Sequence, residues 1–189
     1  MPGQHRVVAV QLLTPRLRLR RWRPADGEEL AAVFAKPEVW RFPLGRGLRA
    51  EETAAFLARR LEEQHRSPVH LWAAELLHPA RLIGYMGLAV PTFLPEILPA
   101  VEIGWRLDPD WWGRGLATEG GAAVLAHAFG PLHLDEVVSI YQPENAASGA
   151  VMRRLGMRAE RDTRHPALGT ALRDMHRSPL RSPADGSRL

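Results

Sequence analysis

The sequence predicts an α/β fold in which strands and helices surround a single sheet. The first supporting feature is the run 101–107, where apolar and polar residues alternate with the period of a strand that buries one face. The second is a pair of strand-like runs at 70–77 and 81–90, joined by a His-Pro-Ala turn, which predicts an antiparallel hairpin. The third is a helical face after the alternating run, formed by Ala122, Leu125, Ala126 and Phe129.

A strand and two helices are predicted before this hairpin. Leucines, arginines and a tryptophan between 13 and 22 predict the first strand. Asp26, with Glu29 three residues later, forms a capping pair that opens a helix, and Pro37 ends it. A second helix is predicted over about 50–64, because its apolar residues share one face: Thr53, Phe56, Leu57 and Leu61.

After the hairpin, residues 92–100 form a proline-containing loop, and 136–141 read as a buried strand. A helix over 145–155 ends at Gly156, which suits a left-handed C-cap. The pattern over 158–177 is the least regular of the chain. We expect one domain over 12–180 and a disordered tail over 181–189.

The junction between the alternating strand and the next helix carries the most information about function. Gly113 and Gly115 lie in the turn, directly before the helix. Unpaired backbone N–H groups at a helix N-terminus bind phosphate, and glycines let a ligand approach them closely. A P-loop is excluded, because its motif needs a lysine after the second glycine and the only lysine of the chain is Lys36. The dinucleotide-binding fingerprint is not met either, because Thr118 stands where that motif has its third glycine or alanine. On these residues alone, a tight connection without a ligand explains the turn equally well.

Composition narrows the class of protein. With 189 residues, 46% of them hydrophobic, the chain can build one substantial core. It has no apolar run long enough for a membrane span and no signal-peptide pattern, so we expect a cytoplasmic protein without a membrane partner. Without cysteine there is no disulfide, thiolate metal site or cysteine nucleophile. The net charge of +4 comes from basic ends around an acidic middle, so we expect no nucleic-acid partner.

Four stretches, in order along the chain, resemble the GNAT superfamily of acyl-CoA-dependent N-acyltransferases. The junction WGRGLATEG (112–120) is similar to the [Gln/Arg]-x-x-Gly-x-[Gly/Ala] signature, with Trp112 in the first slot, and is typical of the RimJ/RimL-like branch that acetylates N-termini of ribosomal proteins. The opening strand 12–22, the run RLIGYMGL (81–88) and the segment from Pro143 through VMRRLGM (151–157) resemble the same branch.

The resemblance implies a mixed, mostly antiparallel sheet of six or seven strands, splayed at the fourth strand, with helices on both faces. It implies two strands within 158–177 and no metal. Acetyl-CoA is the implied co-substrate. It would be bound by the backbone of the strand end, the glycine loop and the start of the later helix: Leu107, Trp112, Gly113, Arg114, Gly115, Leu116, Ala117, Thr118, Asn145 and Ser148.

Several of these residues have a second interpretation. Arg114 either reaches a phosphate or points to solvent, and Asn145 either only caps its helix or also binds the pantetheine arm. Many family members carry a tyrosine as general acid where this chain has Met152, so Ser148, a water or another group must protonate the leaving thiolate. Glu102 either draws a proton from the amine through water or is an ordinary polar strand residue.

The implied activity is transfer of an acetyl group to a primary amine, either a protein N-terminus or a small molecule, by direct attack in a ternary complex. Two alternatives stay open. One is a non-catalytic acyl-CoA sensor, which Met152 in the tyrosine position favours. The other is an N-acyltransferase with a bulkier donor such as succinyl-CoA. Monomer and homodimer fit the sequence equally.

Overall fold

A computed structural model describes residues 11–177, and within them eight strands form one sheet in the order β1-β2-β3-β4-β5-β6-β8-β7. The strands are β1 Leu12–Leu13, β2 Leu17–Arg20, β3 Leu71–Leu76, β4 Arg81–Ala89, β5 Glu102–Leu107, β6 Val137–Tyr141, β7 Arg158–Arg164 and β8 Ala171–Arg177. The helices are α1 Gly27–Phe34, α2 Arg41–Leu44, α3 Ala50–Arg66, α4 Leu116–Phe129 and α5 Ala146–Arg154. The mixed, mostly antiparallel α/β sheet confirms the predicted fold class.

The sheet has eight strands where six or seven were predicted, because the predicted first strand is split into β1 and β2. Pro15 has no N–H to donate to a ladder, and Thr14 turns the chain through hydrogen bonds between its hydroxyl and the backbone of Leu17, at 2.9 and 3.3 Å. Strands β1 and β2 therefore pair with each other as a short hairpin. As a consequence, the strand predicted to be the fourth is β5.

Helices cover both faces of the sheet, as predicted. On one face, α1 and α3 bury a cluster that includes Trp22, Phe34 and Phe56 against β3 and β4. On the other face, α4 and α5 pack on a cluster that includes Trp72 and Met86. Each side of the sheet thus has its own apolar core, and the central strands are held from both sides.

The sheet opens between its two central parallel strands. Strands β5 and β6 share a single register pair, Glu102 with Val138, together with a 2.9 Å bond from the Val138 N–H to the Val101 carbonyl. Every other neighbouring pair is antiparallel. Beyond Ile103 the two strands separate, which leaves a gap that leads toward the end of β5.

Of the predicted helix caps, those of α5 are present and the one before α1 is not. The helix over 145–155 has Asn145 as its cap, and Gly156 has the expected left-handed φ of 76°. The Asp26–Glu29 capping pair was wrong. Asp26 instead pairs with the buried Arg20 at 2.8 Å, and Glu29 accepts the Leu82 N–H at 2.7 Å. The predicted tail, 181–189, and the last residues of the predicted 12–180 domain lie outside the described residues.

Candidate active site

The glycine turn after β5 has the geometry of an anion-binding loop. Gly113 and Gly115 have φ values of 73° and 78°, in the left-handed region that residues other than glycine rarely adopt. A Cβ on Gly113 would meet no atom within 4 Å, and one on Gly115 only the Arg16 guanidinium at 3.7 Å, so the loop surface is open. Helix α4 begins at Leu116, so its first N–H groups point out of the helix at the positive end of the dipole.

Arg16 and Glu119 brace this loop from behind. The Arg16 Nε donates to Glu119 Oε2 at 2.7 Å, and its Nη1 donates to the Arg114 carbonyl at 2.9 Å. Thr14 adds a 2.6 Å bond to the same carboxylate. Partial burial acts to raise the pKa of Glu119, but the hydrogen bonds from Thr14 and Arg16 outweigh it and lower that pKa below its ordinary value. Glu119 thus stays ionised and fixes Arg16 beside the loop.

A second brace holds the entrance of the loop. Lys36 Nζ donates to Asp108 Oδ1 at 2.5 Å and to Asp110 Oδ2 at 2.8 Å. Asp108 is only 1% exposed and also accepts the Asp110 N–H. The hydrogen bond that Lys36 donates to Asp108 is the largest of the effects that raise the pKa of Lys36, so Lys36 stays charged at neutral pH. No sequence motif marks Arg16, Lys36 or Asp108 as part of this loop, although Lys36 stands out as the only lysine.

The wall of the gap is the backbone of β5. The Asp108 N–H donates to the Ile83 carbonyl of β4, whereas the Val101 and Ile103 carbonyls accept hydrogen bonds from β6. Because backbone direction alternates along a strand, the N–H and C=O of Trp105 and Leu107 also face β6. The predicted Leu107 position therefore borders the gap.

Trp112 occupies part of that wall. Its indole Nε1 donates to the Leu107 carbonyl at 2.8 Å, while 49% of the residue is exposed. The N–H of Trp112 thus serves the protein itself, and Leu107 keeps its own N–H for a ligand. The backbone N–H and C=O of Trp105 face the same side, although no sequence motif marks this residue.

Glu102 lies at the start of the gap. Removal from water raises the pKa of its carboxyl to about 7, against the opposing effects of a hydrogen bond from the Ile140 N–H and the charge of Arg106. The residue as a whole is half-buried. A Cβ on Gly104, the next residue on the same face, would meet nothing within 4 Å. Open space therefore adjoins a carboxyl whose pKa suits a general base at neutral pH.

Arg106 closes the far end of that space. Its guanidinium lies 4.0 Å from the centre of the Trp40 ring and donates to the Val39 carbonyl at 2.8 Å. The polar face of β5 is therefore walled by the segment between α1 and α2.

Helix α5 presents the remaining predicted residues. Asn145 Oδ1 accepts the Ser148 N–H at 3.3 Å, so Asn145 is a cap. Ser148 is half-buried in the first turn, and Met152 is buried in the core at 2% exposure. Among the described residues no hydrogen bond joins Ser148 to Glu102. The two predicted catalytic residues thus belong to separate elements, α5 and β5.

Over residues 11–177, no group of three or more histidines or carboxylates could hold a metal ion. In the same range, no helix is both long and apolar enough to cross a membrane.

A pair of central strands that splay apart, together with a glycine loop at a helix N-terminus, is typical of the acetyltransferase class to which the sequence motifs pointed. The family model for the acetyltransferase (GNAT) domain matches residues 16–158, and the chain belongs to this family. Two similar proteins come from Bacillus subtilis (strain 168). The uncharacterized N-acetyltransferase YnaD is 39% identical over 59 residues, 31% of this chain and 35% of that protein. The uncharacterized N-acetyltransferase YoaA is 26% identical over 150 residues, 79% of this chain and 83% of that protein.

Solved structures show the same fold. RimL, a ribosomal L7/L12 alpha-N-protein acetyltransferase solved in complex with coenzyme A, superposes with a TM-score of 0.75 at 17% identity. The superposition covers 89% of this chain and 98% of RimL. At this identity the likeness shows the shared fold.

Proposed function

We propose that the protein transfers the acetyl group of acetyl-CoA to a primary amine, either a protein N-terminus or a small molecule. The observation that carries this proposal is the gap between β5 and β6, which has Glu102 at its start and the loop of Gly113 and Gly115 beyond its far end. A thioester in this gap has a phosphate site at one end and a base at the other.

The diphosphate of acetyl-CoA binds at the first N–H groups of α4, where only glycine backbone stands in front. Arg114 and Arg16 add positive charge near the same loop. The amides of the pantetheine arm pair with the backbone groups of Trp105 and with the Leu107 N–H in the manner of an added strand. Asn145, at the cap of α5, completes the set that the family resemblance implies.

The reaction is a direct acyl transfer in a ternary complex. The acceptor ammonium group first loses a proton to Glu102 through water. The neutral nitrogen then attacks the thioester carbonyl carbon, so the C–N bond forms. As the C–S bond breaks, the nitrogen loses its second proton to solvent, which leaves the neutral amide and the coenzyme A thiolate. Backbone N–H groups polarise the carbonyl oxygen as negative charge develops on it. With a pKa of about 7, Glu102 is partly ionised at neutral pH and can accept the proton.

The departing coenzyme A thiolate takes up a proton. Met152 is buried and has no proton to give, so we propose that Ser148 donates, directly or through water. The same observation favours a second function, a non-catalytic acyl-CoA sensor that binds in the same gap.

A thiol-release assay with a panel of amines and peptides separates the two functions. Transfer predicts coenzyme A release that depends on the amine and is lost in Gly115→Glu. A sensor predicts acetyl-CoA binding by calorimetry without amine-dependent release. Absence of both binding and release contradicts either function.

A further inference from the structure

The gap begins where two side chains replace one backbone hydrogen bond. The Val138 N–H donates to the Val101 carbonyl, and in a regular parallel ladder the next bond donated by β6 would run from the Ile140 N–H to the Ile103 carbonyl. In this structure the Ile103 carbonyl accepts the Ser139 hydroxyl at 2.9 Å. The Ile140 N–H instead acts on the nearby Glu102 carboxyl, whose pKa it lowers.

These two side chains reach the gap from opposite faces of the sheet. Glu102 shares its face with Val138. Ser139 is the next residue on β6, is 2% exposed, and pairs with Met175 of the apolar cluster beneath α4 and α5. The Ile103 carbonyl and the Ile140 N–H, which the missing bond would have joined, thus each lie beside a side chain from the opposite strand. We call Glu102 and Ser139 the floor pair.

From this arrangement we infer that Ser139 is a positioning residue, which together with Glu102 stops β5 and β6 from closing beyond Ile103. The inference rests on the proposed function, because it gives the open gap a role. In a regular ladder, the bond after Ile140 to Ile103 would join the Trp105 N–H to the Ile140 carbonyl. The floor pair leaves this Trp105 N–H free to donate to a carbonyl of the acyl donor, and it sets the depth at which the donor stops, beside Glu102.

The chemistry of serine suits this position. A hydroxyl donates to the Ile103 carbonyl without filling the gap, whereas an aliphatic side chain would leave that buried carbonyl without a partner. In a regular ladder the donor to that carbonyl is the Ile140 N–H, and a bond between the two would extend the pairing of β5 and β6 by one further step.

Ser139→Thr and Ser139→Val test the inference as a matched pair, because they have nearly the same shape and differ in the hydroxyl. We expect Thr to resemble the parent. Val should slow amide hydrogen exchange at Ile140 and Trp105 in the ligand-free protein, as measured by NMR. It should also weaken acetyl-CoA binding by about tenfold, the usual scale for a lost neutral hydrogen bond in a ligand site. Circular dichroism and thermal melts confirm that both variants fold.

Equal exchange rates and equal affinities in the two variants would overturn the inference. If both variants fail to fold, Glu102→Gln and Glu102→Met replace them, since Gln keeps an oxygen for the Ile140 N–H and Met does not. Weaker acetyl-CoA binding only in Met supports the floor pair, and equal binding refutes it. The exchange rates need neither ligand nor turnover, so they decide on Ser139 even if the protein proves to transfer no acetyl group.

Discussion

The two ends of the gap are built by different means. At the loop end, two charged pairs from distant parts of the chain, Arg16 with Glu119 and Lys36 with Asp108, fix the backbone that we propose binds the diphosphate. At the floor, a neutral hydroxyl and one titratable carboxyl hold two strands apart. The charges of Lys36 and Glu119 at the loop end therefore persist near neutral pH, whereas the carboxyl at the floor has a pKa of about 7 and titrates there. Affinity for the donor and reactivity toward the amine should therefore be separable.

The largest effect is expected from Gly115→Glu, which attacks the loop end. The residue has a φ of 78°, and a carboxylate there would stand in the diphosphate site. We expect acetyl-CoA binding to fall below detection in calorimetry. Gly115→Gln is the control, because it shares the strain and the bulk without the charge and should retain part of the affinity. Parent-like affinity in Gly115→Glu would show that the loop does not bind the diphosphate.

Ser148→Ala tests the reactive end without touching the loop. If Ser148 protonates the thiolate, turnover should fall by about 10²-fold, in the usual range for general acid catalysis, with little change in acetyl-CoA affinity. Steady-state kinetics and calorimetry measure the two quantities. Ser148→Thr keeps a hydroxyl and should recover much of the rate. Unchanged turnover in the alanine variant would leave Ser148 with a helical role only.

Glu102→Gln tests the pH dependence of the floor. In the parent, kcat/KM should rise with pH through about 7, because only the ionised carboxyl accepts a proton. The variant lacks this group, so its rate should follow the fraction of free amine alone. The deficit, on the order of 10²-fold, should be largest between pH 7 and the pKa of the acceptor and should shrink above it. A pH-independent loss would indicate a positioning role, and no loss would make solvent the base.

The smallest effect is expected from Lys36→Met, which removes a brace. It leaves the carboxylate of Asp108, 1% exposed, without its cation and should destabilise the protein by about 1–3 kcal/mol. Acetyl-CoA affinity should fall only several-fold, since Arg16 still holds the loop. Lys36→Arg keeps the charge and is the control. Thermal unfolding and calorimetry check both changes. A loss of affinity as large as that of Gly115→Glu would contradict a bracing role.

The sequence predicted the loop end better than the floor. Alternation in β5, glycines in the turn and the helical face of α4 are local signals, and all three appear in the structure. The split at Pro15 was missed because the surrounding residues look like one continuous strand. Local periodicity cannot report which turn will pair back on itself.

The floor escaped prediction for a different reason. Ser139 lies within an apolar strand, and its partner, Ile103, belongs to another strand 36 residues away. The sequence identified Glu102 as a candidate base, but its raised pKa depends on burial, which only the folded sheet determines. The braces were missed likewise, because a pair such as Lys36 and Asp108 leaves no periodic pattern.

The braces also have a consequence for how the protein folds. The bond from Thr14 to Glu119 spans 105 residues, and that from Lys36 to Asp108 spans 72. Contacts of such high sequence separation require large loops to close, and their entropy cost slows their formation. We therefore expect the glycine motif to acquire its binding conformation late, after β1 and α1 have docked against residues made much later during translation. A nascent chain that already carries the whole motif would still lack an ordered loop until those early segments return to it.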